Sequence, residues 1–169
     1  MIHHYNARLL TSADINTWTT LRREGVERFP FAFLPDADEL CQLSGDRDKA
    51  ALEAGSYWGV FHAQTAVGIA GLLAHWFNCY KHRFGLGPFY VTPDHWGSPA
   101  ATTLLVHVFD TAAARGATQV ELEFDAENPR AIAFYEKMGF QQIGQMPNAM
   151  QRDGTFHDDL LMVRQIETS

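Results

Sequence analysis

The segment 119–140 combines side-chain types that serve general acid–base chemistry with a spacing that would hold them in fixed places. Glu121, Glu123 and Asp125 recur at every second position, so a strand would present all three carboxylates on one face. Tyr135 follows on a predicted helix and, as a neutral phenol at pH 7, can donate a hydrogen bond or a proton. Two structural alternatives stay open, because a solvated acidic edge and a packed helix tyrosine would give the same pattern.

The same segment predicts the elements that would position these groups. Apolar side chains at 120, 122 and 124 alternate with the carboxylates, as in a strand with one buried face. Asn128 then suits a helix N-cap, Pro129 the first helical position and Gly139 the residue that ends the helix. Phe140 begins another apolar stretch. A strand, a short capped helix and a return strand therefore follow one another directly.

A second candidate site is the segment PDHWGSPAATT, between a strand that ends at Val91 and a helix that begins near Pro99. A strand-to-helix turn offers free backbone N–H groups to phosphate and needs no lysine. Pro99 lacks an N–H, but proline is well tolerated in the first helical turn, and Ser98 can cap that helix. The alternative is that Ser98 and Pro99 only start a helix, with no ligand.

The rest of the chain predicts a mixed α/β sandwich. A first helix capped by Ser12 ends at Pro30, and a second helical stretch covers residues 36–54. Strands are predicted at 57–61, 66–77 and 83–92, where Gly85 and Gly87 indicate a bulge or a close backbone approach. A helix ending at Gly116 precedes the segment 119–140, and two closing strands surround a turn at 152–155. We expect one mixed, mostly antiparallel central sheet with helices on both faces.

Composition restricts the class of protein. The 169 residues, 46% of them apolar, fit one domain over residues 1–169. A net charge of −7 argues against a general nucleic-acid or anionic-membrane binder and suits a cationic or amine substrate. Neither the two cysteines nor the eight histidines show metal-site spacing, so we expect no metal. With no signal or spanning segment in the sequence, we expect a cytoplasmic protein.

The run NPRAIAFYEKMGF after QVELEF resembles the Gcn5-related N-acetyltransferase superfamily, whose late strand and helix carry N, two or three residues, A, a tyrosine and then GF. The segments LRREGVERFPFAF, GPFYVTP and GQMPNAMQRDGTFHDDLLM extend the resemblance over almost the whole chain. The resemblance implies the acyl-CoA N-acyltransferase fold and an enzyme that transfers an acetyl group from acetyl-CoA to a primary amine, by direct attack in a ternary complex. It further implies a small-molecule or peptide acceptor and allows a homodimer.

The resemblance also implies roles for single residues. Tyr135 matches a tyrosine that lies near the cofactor sulfur and serves as the acid, and Glu123 matches a glutamate proposed as general base in ribosomal-protein N-terminal acetyltransferases. The strand GPFYVTP matches the one that hydrogen-bonds the pantetheine arm of the cofactor. The implied cofactor-binding residues are Phe89, Tyr90, Val91, Trp96, Gly97, Ser98, Pro99, Ala100, Ala101, Thr102, Asn128 and Tyr135.

The phosphate-binding turn departs from the superfamily pattern. Trp96 stands where the superfamily has Arg or Gln, and Pro99 stands at the middle glycine, while Ala101 is an allowed final residue. Loss of one N–H donor to a charged acceptor typically costs about 1.5 to 3 kcal/mol. This departure keeps a second function open, a catalytically degenerate acetyltransferase-fold domain that acts as a ligand-binding or sensing module.

Overall fold

The computed structural model describes residues 4–43 and 45–167. Within these ranges the strands are β1 (Tyr5–Leu9), β2 (Tyr57–His62), β3 (Thr65–Ala74), β4 (Arg83–Val91), β5 (Gln119–Asp125), β6 (Gln141–Arg152) and β7 (Thr155–Gln165). The α-helices are α1 (Ile15–Arg28), α2 (Ala37–Leu43), α3 (Asp46–Glu53), α4 (Ala100–Ala114) and α5 (Pro129–Lys137).

The strands form one mixed sheet in the order β1-β2-β3-β4-β5-β7-β6. The pairs β1–β2, β2–β3, β5–β7 and β6–β7 are antiparallel. The pair β4–β5 is parallel, with the first three residues of β4 opposite residues 119–121. The predicted mixed, mostly antiparallel sheet is therefore confirmed. No helix in the described ranges is long and apolar enough to cross a bilayer.

The chain divides into two compact units, and each has its own buried side chains. The first covers Met1–Leu73 and Leu86–Thr111, and the second covers Ala74–Gly85 and Ala112–Ser169, apart from the residues outside the described ranges. In the first unit α1 buries Trp18, which stacks on Tyr57 at 3.9 Å between ring centroids. In the second unit, Val120 on β5 and Met162 on β7 are almost fully buried. The single-domain expectation for residues 1–169 stays a prediction.

The start of the chain differs from the prediction in two ways. Strand β1 precedes the first helix, and sequence patterning missed it because only Ala7 of its five residues is buried. The predicted cap Ser12 is not the capping residue, since Asp14 accepts the N–H of Thr11 at 2.9 Å and forms the capping box. Arg8 holds the same carboxylate through two hydrogen bonds, which keeps the pKa of Asp14 well below its usual range.

Two other predicted elements have different bounds. The helical stretch 36–54 is two helices, because Gly45 takes a φ of +112° between them, outside the range of a right-handed helix. Strand β3 ends at Ala74, so the aromatic pair Trp76 and Phe77 lies beyond it with 95% and 71% exposure.

The close backbone approach predicted at Gly87 is confirmed. A Cβ added to Gly71 on β3 would collide with the carbonyl oxygen of Gly87 on β4, so two backbones meet here without side chains between them. Gly87 itself has a φ of +157°. Glycine at 71 is therefore required by contact rather than by backbone angles.

We expect the substitution Gly71→Ala to lower the free energy of unfolding by about 1–3 kcal/mol, because a backbone carbonyl cannot move aside as a flexible side chain can. Gly144→Ala is the matched control, since nothing lies within 4 Å of a Cβ at that strand position. Its effect should stay within about 0.5 kcal/mol. Urea unfolding of both variants measures the difference, and equal effects would contradict the close approach.

Candidate active site

The turn between β4 and α4 is a closed structure built from its own residues. A short 3₁₀ helix covers Pro93–His95, and Ser98 Oγ donates to the carbonyl of His95 at 2.6 Å. The same oxygen accepts the N–H of Ala100 at 3.2 Å, so Ser98 caps α4 as predicted. Gly97, with a φ of +73°, occupies a left-handed conformation that favours glycine.

The donors that this turn can offer to an anion are fewer than expected. The first intrahelical bond runs from Thr103 N–H to Pro99 O at 2.8 Å, so the N–H groups of Ala101 and Thr102 precede it in the first turn. Ala100, which was also predicted to donate, is fully buried, and its N–H is taken by Ser98. Ala101 and Thr102 therefore remain as the backbone donors at the start of α4.

Trp96 is part of the turn rather than a loose side chain. Its indole Nε1 donates to the carbonyl oxygen of Val91 at 2.8 Å, across the end of β4. Its ring lies 5.5 Å from that of Phe29, and 41% of the residue stays exposed. An indole at this position therefore supports the fold of the turn and brings no positive charge to it.

The predicted pantetheine strand has mixed surroundings. Tyr90 and Val91 are buried, and Phe89 is half-buried. Tyr90 donates its hydroxyl to Glu24 at 2.9 Å, and burial together with this carboxylate raises the pKa of the Tyr90 phenol. The side chain of Tyr90 is thus a structural element of the first unit, and only backbone groups of Phe89 and its neighbours are available for the role that we predicted.

A contact between distant parts of the sequence supports the turn. The hydroxyl of Tyr5 on β1 lies 2.8 Å from Nδ1 of His95, and the ring of His62 on β2 lies 5.3 Å from the ring of His95. Sequence analysis missed this cluster, because 90 residues separate Tyr5 from His95. It joins the first strand of the sheet to the turn before α4.

In the second unit, Asn128 caps α5 as predicted. Its side-chain oxygen accepts the N–H of Ala131 at 3.0 Å, and Pro129 occupies the first helical position. Tyr135 is buried, and its ring lies 5.1 Å from that of Phe124 and 5.5 Å from that of Phe140. Burial raises the pKa of the Tyr135 phenol, so the group stays protonated and can donate a hydrogen bond.

Glu123 lies on the exposed side of β5, as the alternation predicted. Its neighbours on the same face have side-chain partners. Asp125 is 3.0 Å from Nδ1 of His157, and Glu121 is held by Arg83 at 2.8 Å and by His75 at 3.0 Å. Two of the three carboxylates are therefore engaged within the second unit, which leaves Glu123 as the solvent-facing member.

One carboxylate near these residues was not singled out from the sequence. Asp159 on β7 is 8% exposed, and its Oδ1 has no hydrogen-bond partner in the described part of the chain. The available signal was the HDDLLM run, which puts an aspartate directly beside the buried Leu160.

An open cleft lies elsewhere in the second unit. It has a volume of about 450 Å³ and lies between the C-terminal end of α5, at Lys137–Gly139, and the paired ends of β6 and β7. Arg164 lines it and donates to the carbonyl of Met138 at 2.6 Å. None of the predicted site residues lines this cleft. The described residues contain no group of three or more histidines, cysteines or acids placed to hold a metal ion.

Comparison with known proteins shows the family to which this chain belongs. The model of the acetyltransferase (GNAT) family matches residues 18–140, so the chain belongs to this family. An uncharacterized N-acetyltransferase of Mycobacterium tuberculosis is 38% identical over 82 residues, which are 48% of this chain and 51% of that protein. The chain thus spans about half the length of the curated relatives that it matches.

Solved structures share the fold. The Salmonella typhimurium protein yncA, solved with its cofactor acetyl-CoA, has a TM-score of 0.84 at 20% identity, covering 98% of this chain and 96% of that one. A GNAT-family acetyltransferase from Streptococcus pneumoniae gives 0.84 at 22%, covering 97% and 100%. A phosphinothricin acetyltransferase from Sinorhizobium meliloti in complex with AcCoA gives 0.78 at 22%, covering 96% and 88%. The expected acyl-CoA N-acyltransferase fold is confirmed.

We expect Asn128→Ala to lower the free energy of unfolding by about 1 kcal/mol, because the N–H of Ala131 loses its acceptor. Asn128→Asp keeps an oxygen in the same place and should change it by only a few tenths of a kcal/mol. Denaturant unfolding followed by circular dichroism measures both. An equally large loss of stability in the aspartate variant would mean that the amide nitrogen of Asn128, and not its capping oxygen, stabilises the fold.

Proposed function

We propose that this chain transfers an acetyl group from acetyl-CoA to a primary amine by direct attack within a ternary complex. Family membership supports acetyl transfer, and the relatives solved with acetyl-CoA support this cosubstrate. The observation that carries the proposal is the capped helix α5, which holds a protonated Tyr135 against Phe124 of β5. A small-molecule or peptide amine is the acceptor in this proposal.

The start of α4 is the proposed diphosphate site. The 15-residue α4 directs its positive end toward the turn, where the N–H groups of Ala101 and Thr102 precede the first intrahelical bond. Phe89, Tyr90 and Val91 offer backbone groups for the pantetheine arm, and Gly97 keeps the turn free of a side chain. In this reading, Trp96, Ser98, Pro99 and Ala100 shape the turn rather than bind phosphate through side-chain charge.

Tyr135 is the proposed donor to the departing thiolate of coenzyme A. Its raised pKa makes full proton release unfavourable, so its effect is a hydrogen bond to sulfur as negative charge develops, followed by proton transfer from the former amine. Asn128 is proposed to touch the cofactor arm in addition to capping α5. Glu123 is the proposed general base, because it is the exposed carboxylate on its face of β5.

A second candidate function is a sensing module that binds a ligand without catalysis. The observation that favours it is the loss of two donors from the turn, one to Pro99 and one to the bond between Ala100 and Ser98. The two candidates differ in what they need. The enzyme needs productive acetyl-CoA binding, whereas the module does not.

We expect saturating acetyl-CoA and CoA each to raise the melting temperature, because a ligand of the native state stabilises it by mass action. At 100 times the dissociation constant the gain is about 2.7 kcal/mol, or about 5 to 11 °C for a chain of this size. Differential scanning fluorimetry measures the shift, with adenosine alone as the control ligand. Absence of a shift with both cofactors would sink the enzyme proposal and leave the sensing module.

We expect Tyr135→Phe to lower kcat by about 10²-fold or more, because it removes the hydroxyl and keeps the ring among its aromatic neighbours. Free thiol production with an accepted amine measures turnover, and titration calorimetry checks that the affinity for acetyl-CoA is retained. Tyr80→Phe makes the same chemical change at a partly exposed residue of the same unit. Equal turnover in both variants would remove Tyr135 from its proposed role.

A further inference from the structure

Asp159 is a buried carboxylate, and burial disfavours its charged form. It lies on β7 beside the buried Leu160, with 8% of the residue exposed and no hydrogen-bond partner for Oδ1 within the described residues. Buried polar atoms in folded proteins are almost always paired, and an unpaired buried carboxylate is costly. A residue kept under these conditions is a candidate for a role beyond folding.

Asp159 is also surrounded by other carboxylates. The antiparallel register places Asp159 opposite Asp125, and Leu161 opposite Glu123, so Glu123, Asp125 and Asp159 share one face of β5 and β7. On β6 the residue opposite Asp159 is Met146, which carries no charge. Burial raises the pKa of Asp159 most, and the charges of Glu123, Asp125 and Asp158 raise it further, while His157 opposes them.

The partners near this face belong mainly to Asp125 and Asp158. His157 contacts Asp125 at 3.0 Å and lies 3.9 Å from Glu127. Asp158 is held by the N–H of Asn148 and the side chain of Gln145, both at 2.8 Å. Glu123 is exposed and has no salt bridge within the described ranges. Glu123 and Asp159 are therefore the carboxylates of this face that have neither a salt bridge nor a side-chain hydrogen bond among the described residues.

We propose that this acidic face binds the acceptor as an aliphatic ammonium ion, and that the carboxylate of Asp159 takes the proton that the nitrogen must lose before it attacks. The inference rests on the proposed acetyl transfer and names the substrate class for it. This places the proton acceptor at Asp159 rather than at Glu123, to which the family resemblance assigns the base role. Exposed Glu123 then attracts and holds the cation, and the carboxylate of Asp159 takes the proton. The buried unpaired carboxylate and the shared face of β5 and β7 both lead to this assignment.

The step balances in atoms and charge. The ammonium ion gives one proton to Asp159, which becomes a neutral acid, and the free amine attacks the thioester carbonyl carbon. A C–N bond forms, and the C–S bond breaks as the tetrahedral intermediate collapses. A second proton passes from the nitrogen to the sulfur, whose developing negative charge accepts a hydrogen bond from Tyr135, giving the amide and the free thiol of coenzyme A. Asp159 returns its proton to water.

The charge of this face also excludes one class of acceptor. A free α-amino acid carries a carboxylate beside its nitrogen and would place a negative charge among Glu123, Asp125 and Asp159, where like-charge repulsion is strong. We infer that the acceptors are aliphatic amines with no carboxylate on the carbon that bears the nitrogen. Amino groups of peptides and alkyl amines fit this class, whereas free amino acids do not.

The first test uses stability and needs no substrate. The pKa of folded Asp159 is raised, so between the unfolded value of about 4 and the folded value the native state binds more protons than the unfolded state. Stability is therefore lost as pH rises through that window. We expect Asp159→Asn to melt at a higher temperature than the parent protein at pH 7.5, with the difference disappearing near pH 4.

The matched control is the adjacent Asp158, whose hydrogen bonds from Asn148 and Gln145 lower its pKa. Asp158→Asn should lower the melting temperature at pH 7.5, opposite in sign to Asp159→Asn. A lower melting temperature for Asp159→Asn would overturn the inference, because the carboxylate would then stabilise the fold rather than destabilise it.

The second test uses three matched acceptors with acetyl-CoA, read by free thiol: propylamine, 2-aminobutyrate and the methyl ester of 2-aminobutyrate. We expect kcat/KM for 2-aminobutyrate to be lower by about 100-fold or more than for the other two. In Asp159→Asn, turnover of propylamine should fall by about 10²-fold at pH 7 and recover as pH approaches the pKa of the free amine. The acetyl-CoA melting shift should be unchanged in that variant.

The outcomes separate the two proposals. If acetyl-CoA produces no melting shift in the parent protein, the proposed function fails. If the shift is present but 2-aminobutyrate is the preferred acceptor, or none of the three is acetylated, this inference fails and the cosubstrate assignment stands. Turnover of propylamine that is equal in Asp159→Asn and the parent protein at every pH would also overturn it.

Discussion

The hydrogen bond from Ala131 N–H to the side chain of Asn128 fixes the point where β5 gives way to α5, and the second unit is arranged around that point. Because the cap follows β5 after only two residues, α5 cannot slide along the sheet, and Tyr135 is held against Phe124. The alternation of β5 then leaves the carboxylates on the opposite face from this aromatic contact. One capping interaction therefore sets where the phenol lies and, through the strand, which way the acids point.

The turn before α4 is held by its own residues, without the arginine or glutamine of the superfamily pattern. An arginine or glutamine in the superfamily pattern is replaced here by Trp96, whose indole N–H closes the turn on Val91, and Ser98 completes it by joining His95 to the start of α4. Tyr5 on β1 adds a support through His95. In the proposed diphosphate site, binding therefore depends on the N–H groups of Ala101 and Thr102 rather than on side-chain charge, at a helix start whose dipole favours anions.

Charge is distributed unevenly within the second unit. Glu121 pairs with Arg83 and contacts His75, and Asp125 contacts His157, whereas Asp159 is buried without a partner for one oxygen. Functional sites often contain such unpaired charged groups, because a group that already has partners in the free protein gains little free energy from a ligand. A face with this imbalance suits a positively charged partner, in keeping with an acidic chain of net charge −7.

The sequence by itself determined the elements whose signals are local. Alternation gave β5, capping chemistry gave the bounds of α5, and the glycines of β4 indicated a bulge or a close backbone approach, all because adjacent residues decide them. Tertiary structure alone decided which backbone donors the turn keeps, the contact of Tyr5 with His95, and the register that places Asp159 opposite Asp125. The physical reason is that strand pairing brings together residues that are far apart in the chain. A local sequence pattern therefore does not show which carboxylate will be buried away from solvent.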